Sequence, residues 1–360
     1  MPKKTLVISD LHLGVQRTGG TTNQSAVSLR GYAHARHREL LGIAGPGDTI
    51  IVNGDLADAY DIPLAEALDI YAAAYEWLST TGGKLIWALG NHDLSKDSAK
   101  LGTVAFIGRL LQTQFRDQFM LVNEPTALTP EDYVIPHVAN QDLFELALSR
   151  VPEGTKRLYL HCNFDNAFAG QADHSLNLDR QAAKVLVKRG MTLILGHEHQ
   201  GRTLMNDQVI IVGNQFPTSV SDCLRHGDAQ ADGRKYCLLI DGDDMELIPT
   251  WAPKDPVGGF HEVDWQDLAA VPEGQHFIRV TGTADSSESA AVIKAISGLR
   301  QRSDAFVITN AVKVDGLQAM DAIADSIEDI KAVSVIDLLM GMLDEQQQVV
   351  IRQLLKEEQQ

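Results

Sequence analysis

The sequence predicts an α/β fold in which layered β-sheets are flanked by helices, with a smaller β-α-β unit after them. Two observations predict it. Short apolar runs recur along the first 250 residues, and helical patterns such as 64–80 and 177–189 lie between several of them. Runs that are apolar throughout are typical of strands buried on both faces of a sheet. These runs are residues 5–9, 49–53, 84–89, 157–160, 192–195 and 208–212.

Changes in composition and sequence pattern divide the chain into four predicted parts. Residues 1–250 form the predicted catalytic domain, because strands and helices alternate through them. Residues 251–275 are rich in Pro and Gly and predict a linker. A capping domain is expected at 276–320. Residues 331–360 carry two short amphipathic helical patterns and are expected to dock on a partner.

The capping domain is predicted from its own pattern of strand, helix and strand. Strand-like residues 276–281 lead to Asp285, which has Glu288 three residues later, the spacing of a capping box at a helix start. A second strand-like run follows at 305–309.

The amino-acid composition limits the classes of function that the protein can have. The 360 residues carry 31 basic and 48 acidic side chains, a net charge of −17 that argues against nonspecific nucleic-acid binding by the whole surface. A local basic groove, or a site whose bound cations offset the acidity, remains compatible with it. The three cysteines are too few and too scattered for a disulfide framework. No apolar run suggests a membrane span or a signal-peptide core, so a cytoplasmic location is expected.

Five of the apolar strands run directly into polar clusters. Because ligand sites form at the carboxyl ends of strands in α/β sheets, we expect these clusters to converge. Asp, His and Asn without thiolates suit hard or borderline divalent cations. They are too many for one ion and fit two ions that share a carboxylate, about 3.5–4 Å apart. The candidate ligands are Asp10, His12, Asp55, Asn91, His161, His197 and His199, and His92 and Asp93 follow Asn91 in the same cluster.

The remaining histidines stand outside these motifs. His34 and His37 lie on a predicted surface helix and are expected to be solvated. The others are expected to be structural, and Cys162 is expected to be a buried filler beside His161. They are His137, His174, His226, His261 and His276.

The motif series D-x-H, G-D, G-N-H-D, H and G-H-x-H resembles that of the calcineurin-like metallophosphoesterase superfamily. The resemblance covers residues 5–200. It implies one metal site at Asp10, His12, Asp55 and His199, and a second at Asp55, Asn91, His161 and His197, with Asp55 bridging. It also implies that His92 is an unligated catalytic histidine and that Asp93 orients it. The expected cofactor is two divalent ions, Mn²⁺ first and Fe²⁺, Zn²⁺ or Mg²⁺ as alternatives.

Within the superfamily the whole chain is most similar to SbcD-type nuclease subunits of double-strand-break repair complexes, in a compact bacterial or phage version. The opening S-D-L-H-L-G at 9–14 and the turn 212–217 carry this resemblance. It implies a DNA substrate and a partner that is an SMC-like coiled-coil ATPase, with a homodimer left open and no membrane. The alternative is a small-molecule phosphodiesterase or nucleotide pyrophosphatase. A non-catalytic scaffold is disfavoured because all seven ligand positions are present.

Overall fold

The computed structural model describes residues 3–15, 23–95, 100–166, 175–223, 234–252, 257–271, 275–302 and 305–315. Within these ranges the α-helices are α1 Asn23–Leu41, α2 Leu64–Thr81, α3 Thr103–Gln114, α4 Gln141–Ser149, α5 Arg180–Lys188 and α6 Ser289–Arg300. The strands are β1 Thr5–Ile8, β2 Thr49–Asn53, β3 Lys84–Ala88, β4 Phe119–Val122, β5 Thr126–Ala127, β6 Asp132–Ile135, β7 Arg157–His161, β8 Asn163–Phe164, β9 Asn177–Leu178, β10 Thr192–Gly196, β11 Arg202–Leu204, β12 Val209–Ile211, β13 Lys235–Asp241, β14 Asp244–Trp251, β15 Val257–Asp264, β16 Gln275–Thr281, β17 Thr283–Asp285, β18 Ala305–Asn310 and β19 Lys313–Asp315.

Two six-stranded sheets form the centre of the fold. The first has the order β14-β13-β1-β2-β3-β4 and the second β11-β12-β10-β7-β6-β5. The predicted apolar runs are the central, parallel strands of both sheets. Apolar side chains such as Val7, Ile51, Tyr159 and Ile194 form one buried cluster with contributions from both sheets, and two further clusters involve the helices. The predicted α/β fold with sheets flanked by helices is confirmed.

The amphipathic helices follow from their sequences. In α2 the residues Ile70, Ala74, Trp77 and Leu78 are buried, and their three- and four-residue spacing places them on one face. The helix ends at Gly82, whose φ of 62° lets its N–H bond the carbonyl of Leu78. Among the residues that the structure describes, no helix combines the length and the apolar character required to cross a membrane.

Asn53, the last residue of β2, links the two sheets. Its side-chain amide donates to the carbonyl oxygens of Leu160 at 3.0 Å and Ile194 at 3.2 Å, and all three residues lie near the carboxyl ends of their strands. Its own carbonyl oxygen lies 2.9 Å from Nδ1 of His161. A single buried amide therefore joins the strand ends at which the polar clusters begin.

Two compact units divide the chain. One comprises Met1–Thr281 with Ala295–Ala311, and the other comprises Gly282–Lys294 with Val312–Gln360. The second unit contains the parallel pair β17 and β19 and the predicted helix start, where the Glu288 carboxylate accepts from the N–H of Asp285 at 2.9 Å. The predicted domain boundaries at 250, 275 and 320 stay predictions.

The linker predicted at 251–275 stays a prediction, and the structure shows regular elements within this range. It contains β15 and a 3-10 helix, Trp265–Ala270, and β15 pairs in parallel with β16. Phe260 of β15 is buried and stacks on Phe277 with ring centroids 4.8 Å apart. Burial of apolar residues such as Phe260 accounts for the regular structure between the Pro and Gly residues of this range. The predicted docking segment 331–360 lies outside the described residues.

The expectation that His34 and His37 are solvated is also wrong. Both are buried, and His34 Nε2 lies 2.6 Å from a carboxylate oxygen of Glu66 in α2. Arg30 Nε lies 3.2 Å from the other oxygen of Glu66. Burial, followed by the nearby His34 and Arg38, lowers the pKa of His37 to about 3. The neutral ring is therefore the folded form at neutral pH.

This burial predicts an acid-sensitive stability. The unfolded chain protonates His37 near pH 6.5 and the folded chain does not, so stability is full above that pH and declines as pH falls below it. The expected loss is about 1.4 kcal/mol per pH unit from this one group. His37→Met should remove that part of the decline, measured by urea unfolding at pH 7 and pH 5. An equal decline in the variant would contradict the assignment.

Candidate metal centre

The loops that carry the predicted ligands adopt strained backbone conformations. Asp10, His12, Asp55 and His197 have φ values of 54°, 46°, 52° and 86°, in the left-handed region that residues with a side chain rarely occupy. Each such residue costs on the order of 1–3 kcal/mol, and this kind of strain concentrates at functional sites. In this site the strained conformations occur at four polar residues, which follow the ends of three strands.

Two glycines permit the close approach of these loops. Gly54 has a φ of 93°, and a Cβ there would overlap the imidazole ring of His161. A Cβ at Gly90 would overlap the carboxylate of Asp55. The G-D and G-N-H-D motifs therefore require glycine because a ligand side chain occupies the space of the missing Cβ.

Asp10, His12 and His199 form the first group of donors, with ligand atoms within 4.8 Å of one another. Nε2 of His12 and Nε2 of His199 face each other at 3.0 Å. The other ring nitrogen of each histidine lies beside a carboxylate: His12 Nδ1 is 3.3 Å from Asp58, and His199 Nδ1 is 2.7 Å from Asp222. The Asp222 carboxylate accepts from Nδ1–H of His199, which fixes the tautomer and directs the Nε2 lone pair into the site. The Asp58 carboxylate places negative charge beside the His12 ring.

Asp55, His161 and His197 form the second group of donors. Oδ1 of Asn91 lies 3.1 Å from His161 Nε2 and 3.0 Å from His197 Nδ1, which places the amide oxygen among the same donors. His161 Nε2 is also 3.2 Å from a carboxylate oxygen of Asp55. The structure thus brings together the four side chains predicted for the second metal.

Asp55 lies between the two groups. It also belongs to a donor cluster with His12 and His92, and its Oδ1 accepts from the N–H of His92 at 2.9 Å. Burial acts to raise the pKa of Asp55, but His161 outweighs burial and holds that pKa well below its usual range. Conversely, burial acts to lower the pKa of His161, and Asp55 raises it to about 10. A buried, ionised carboxylate between imidazole nitrogens has the donor chemistry for a shared ligand, so the cluster fits two divalent ions.

His92 is oriented by a different residue from the one predicted. Its Nδ1 lies 2.6 Å from the carbonyl oxygen of Asp58, so Nδ1 carries the proton and donates it. The carboxylate of Asp93 instead accepts from the N–H groups of Gly90 at 2.9 Å and Ala57 at 3.0 Å. The prediction that Asp93 orients His92 is wrong, because the neighbour in sequence points into the loop packing. Asp93 joins the loop after β2 to the loop after β3.

The environment of Asp93 agrees with this structural role. The side chain is fully buried, and burial followed by the charge of Asp55 raises its pKa to about 7. The backbone N–H donors of Ala57 and Gly90 oppose that rise.

Sequence reasoning missed Asp222 as a site residue. Its carboxylate is buried and accepts from the N–H groups of Thr218 at 2.8 Å and Ser219 at 2.9 Å, in addition to its contact with His199. Burial acts to raise its pKa, but His199 and these donors hold the pKa well below the usual range. The only feature of the sequence that could have indicated Asp222 is its position in a Ser-Asp pair shortly after the turn at 212–217.

Removing Asp222 should weaken metal binding with no loss of a ligand. Asp222→Asn keeps the side-chain volume but removes the charged acceptor that holds the His199 ring. Loss of such a partner of a metal ligand typically lowers metal affinity by about 10–100-fold. Isothermal titration of the metal-stripped protein measures the change. The exposed Asp142→Asn is the matched control and should bind as wild type does. Unchanged affinity in Asp222→Asn would contradict the role given to Asp222.

Asp55→Asn should weaken both ions, because one carboxylate lies between both groups of donors. We expect hydrolysis to fall below detection while the fold is retained. Elemental analysis after dialysis against the metal gives the number of ions per chain, and circular dichroism checks the fold. Two ions bound at wild-type affinity would exclude Asp55 as the shared ligand.

One comparison with known proteins identifies the family of this chain. The profile of the calcineurin-like phosphoesterase family matches residues 3–201, the range that contains all of the predicted ligands. Among curated proteins no match was found. A crystal structure of a dimetal phosphatase from Danio rerio aligns with a TM-score of 0.39 and 11% identity, covering 70% of this chain and 98% of that one. With its family profile matched over more than half its length, the chain belongs to the calcineurin-like phosphoesterase family, which implies a metal-dependent hydrolase.

Proposed function

We propose that the protein is a dinuclear metal-dependent phosphodiesterase and that its substrate is DNA. The observation that supports the chemistry is the position of Asp55, which lies between two groups of converging donors and directly beside His92. The family supports hydrolysis of a phosphoester. The choice of a diester, and of DNA, rests on the sequence resemblance.

Asp10, His12, Asp55 and His199 would hold one ion, and Asp55, Asn91, His161 and His197 the other. When bound, such ions acidify water and neutralise negative charge on a phosphoryl group. The protein contributes the fixed orientation of the donors through Asp58, Asn53 and Asp222. It also contributes His92 as a proton donor.

His92 is suited to act at its Nε2 atom. The Nδ1–H bond to the Asp58 carbonyl fixes the ring, which lies edge-on to His12 with centroids 4.8 Å apart. In the doubly protonated form, His92 can give the Nε2 proton to the leaving oxygen while Nδ1–H stays bonded to Asp58. For DNA the leaving group is a sugar oxygen, which takes this proton and departs as a hydroxyl.

The DNA proposal must account for the net charge of −17. We propose that a coiled-coil ATPase partner contributes much of the affinity for DNA, as the resemblance to SbcD-type subunits implies. The segment proposed to dock on it, 331–360, lies outside the described residues. The same charge favours the second candidate, a small-molecule phosphodiesterase, because a small substrate needs no extended cationic surface.

One assay separates the two candidates. The protein is stripped of metal, supplied with Mn²⁺, and tested on linear duplex DNA, single-stranded DNA and bis-p-nitrophenyl phosphate. We expect metal-dependent cleavage of all three. The DNA reactions are run at low salt with the protein in excess, so that weak binding without the ATPase suffices. Under those conditions, hydrolysis of the small diester without cleavage of either DNA would overturn the DNA proposal. No hydrolysis of any substrate with Mn²⁺, Fe²⁺, Zn²⁺ or Mg²⁺ would overturn the phosphodiesterase itself.

His92→Ala should separate metal binding from catalysis. Because His92 is assigned to proton transfer, the variant should keep two ions per chain and lose about 10²–10⁴ in rate on the small diester. Rate and metal content are measured on the same preparation. Loss of one ion in this variant would make His92 a ligand and contradict its role.

A further inference from the structure

Lys235, the first residue of β13, carries a buried side chain. Only 2% of this residue is exposed, whereas lysine is almost never fully buried in proteins unless a partner holds its charge. Burying an ammonium group without such a partner costs far more than burying an apolar side chain. The position of Lys235 therefore requires specific groups around it that offset this cost.

The register of β13 brings Lys235 to the edge of the first sheet at which the metal donors converge. Strand β13 runs antiparallel to β1, and its Leu238 pairs with Val7. Continuing this register toward the start of β13 places Lys235 opposite Asp10, the first ligand of the D-x-H motif. The pairing of β13 with β14 is irregular between Lys235 and Tyr236. Irregularities of this kind are common next to active sites, where they change the direction of a side chain.

The ammonium group of Lys235 contacts the main chain of a predicted metal ligand. Its Nζ donates to the carbonyl oxygen of His199 at 3.1 Å. The N–H of Asn214 donates to the same oxygen at 3.4 Å. The ring of His199 is held separately, because its Nδ1 lies 2.7 Å from the carboxylate of Asp222. His199 is thus fixed at two points, its ring by a carboxylate and its main chain by an ammonium group.

Lys235 also places positive charge among buried carboxylates. Asp10 and Asp222 are both buried, and both interact electrostatically with Lys235. A buried carboxylate is costly unless a nearby cation compensates its charge. A metal ion compensates it only while bound, whereas the ammonium of Lys235 is a fixed part of the chain. Lys235 therefore offsets part of this negative charge whether or not an ion is present.

We propose that Lys235 is a positioning residue for the ion held by Asp10, His12, Asp55 and His199. It holds the main chain of His199 while Asp222 holds the ring, so that Nε2 stays directed at the ion. The inference rests on the proposed dinuclear centre and adds to it a residue that is neither a ligand nor a proton donor.

The sign of the effect on metal affinity separates positioning from simple electrostatics. A positive charge repels a divalent cation, so a lysine that acted only through its charge on the ion would weaken metal binding. Removing that lysine would then tighten binding. A lysine that holds His199 in place strengthens binding, and removing it weakens binding. The bond from Nζ to the His199 carbonyl favours the second result.

Isothermal titration of the metal-stripped protein with Mn²⁺ tests this role independently of any activity. Lys235→Met keeps the length of the side chain and removes the ammonium group. One of the two binding events should weaken by about 10–100-fold, and the other should be unchanged. Lys84→Met is the matched control and should bind both ions as wild type does, because Lys84 is exposed and begins β3 at the opposite edge of the same sheet. Circular dichroism establishes that each variant is folded.

Three results in Lys235→Met would overturn the positioning role: two unchanged events, two events weakened equally, or a tightened event. Lys235→Gln keeps a donor for the His199 carbonyl but no charge, and it should weaken the same event. It provides the same test if the methionine variant does not fold. A wild type that binds fewer than two ions would instead overturn the proposed dinuclear centre.

A double variant tests whether Lys235 and Asp222 act on the same ligand. Removing either residue alone leaves a buried charge without its partner, whereas removing both does not. Lys235→Met combined with Asp222→Asn should therefore weaken the ion by less than the product of the two single effects. Independent effects that simply multiply would overturn the joint action on His199.

The rate of hydrolysis at saturating metal separates positioning from catalysis. Because Lys235 is assigned no part in the chemistry, saturating Mn²⁺ should restore hydrolysis of bis-p-nitrophenyl phosphate by Lys235→Met to near the wild-type rate. A rate that stays low with two ions bound would overturn the assignment of Lys235 as a positioning residue.

Discussion

The structure depends on one buried carboxylate, that of Asp55. It lies beside the imidazole rings of His12, His92 and His161, which come from three different segments of the chain. His161, His12 and the backbone of His92 all contact or surround it. A buried charge without compensation is costly, so the fold must either pair it with cations or keep it protonated. Here the neighbouring groups favour ionisation, and this charge-dense cluster is the property that makes the site suitable for divalent ions.

The rest of the fold serves to bring these loops together. Parallel strands from two sheets end at the same edge, and the amide of Asn53 joins the sheets there. Gly54 and Gly90 remove the side chains that would keep the loops apart. Asp93 joins two of the loops, and Asp58, Asp222 and Asn53 lie beside the rings of His12, His199 and His161, so these three donors each have a polar partner outside the donor set. Much of the polar interior near the site is explained by this positioning requirement.

The sequence predicted the fold class and the convergence of the site residues well, because buried parallel strands are apolar throughout and because ligand residues follow them directly. It could not predict the partners of those residues, since contacts such as Asp222 with His199 join distant segments. Proximity in sequence favoured Asp93 as the partner of His92, but the Asp93 carboxylate accepts from the N–H groups of Ala57 and Gly90 instead. His34 and His37 were expected to face solvent because of their residue type, and only tertiary packing shows that they are buried.

A crystal structure of the protein loaded with Mn²⁺ would show whether two ions share Asp55. Anomalous scattering at the manganese edge locates the ions without reference to the protein geometry. If two ions share Asp55, two peaks lie about 3.5–4 Å apart, one on each side of its carboxylate. A single peak, or two peaks of which one has no contact with Asp55, would contradict it.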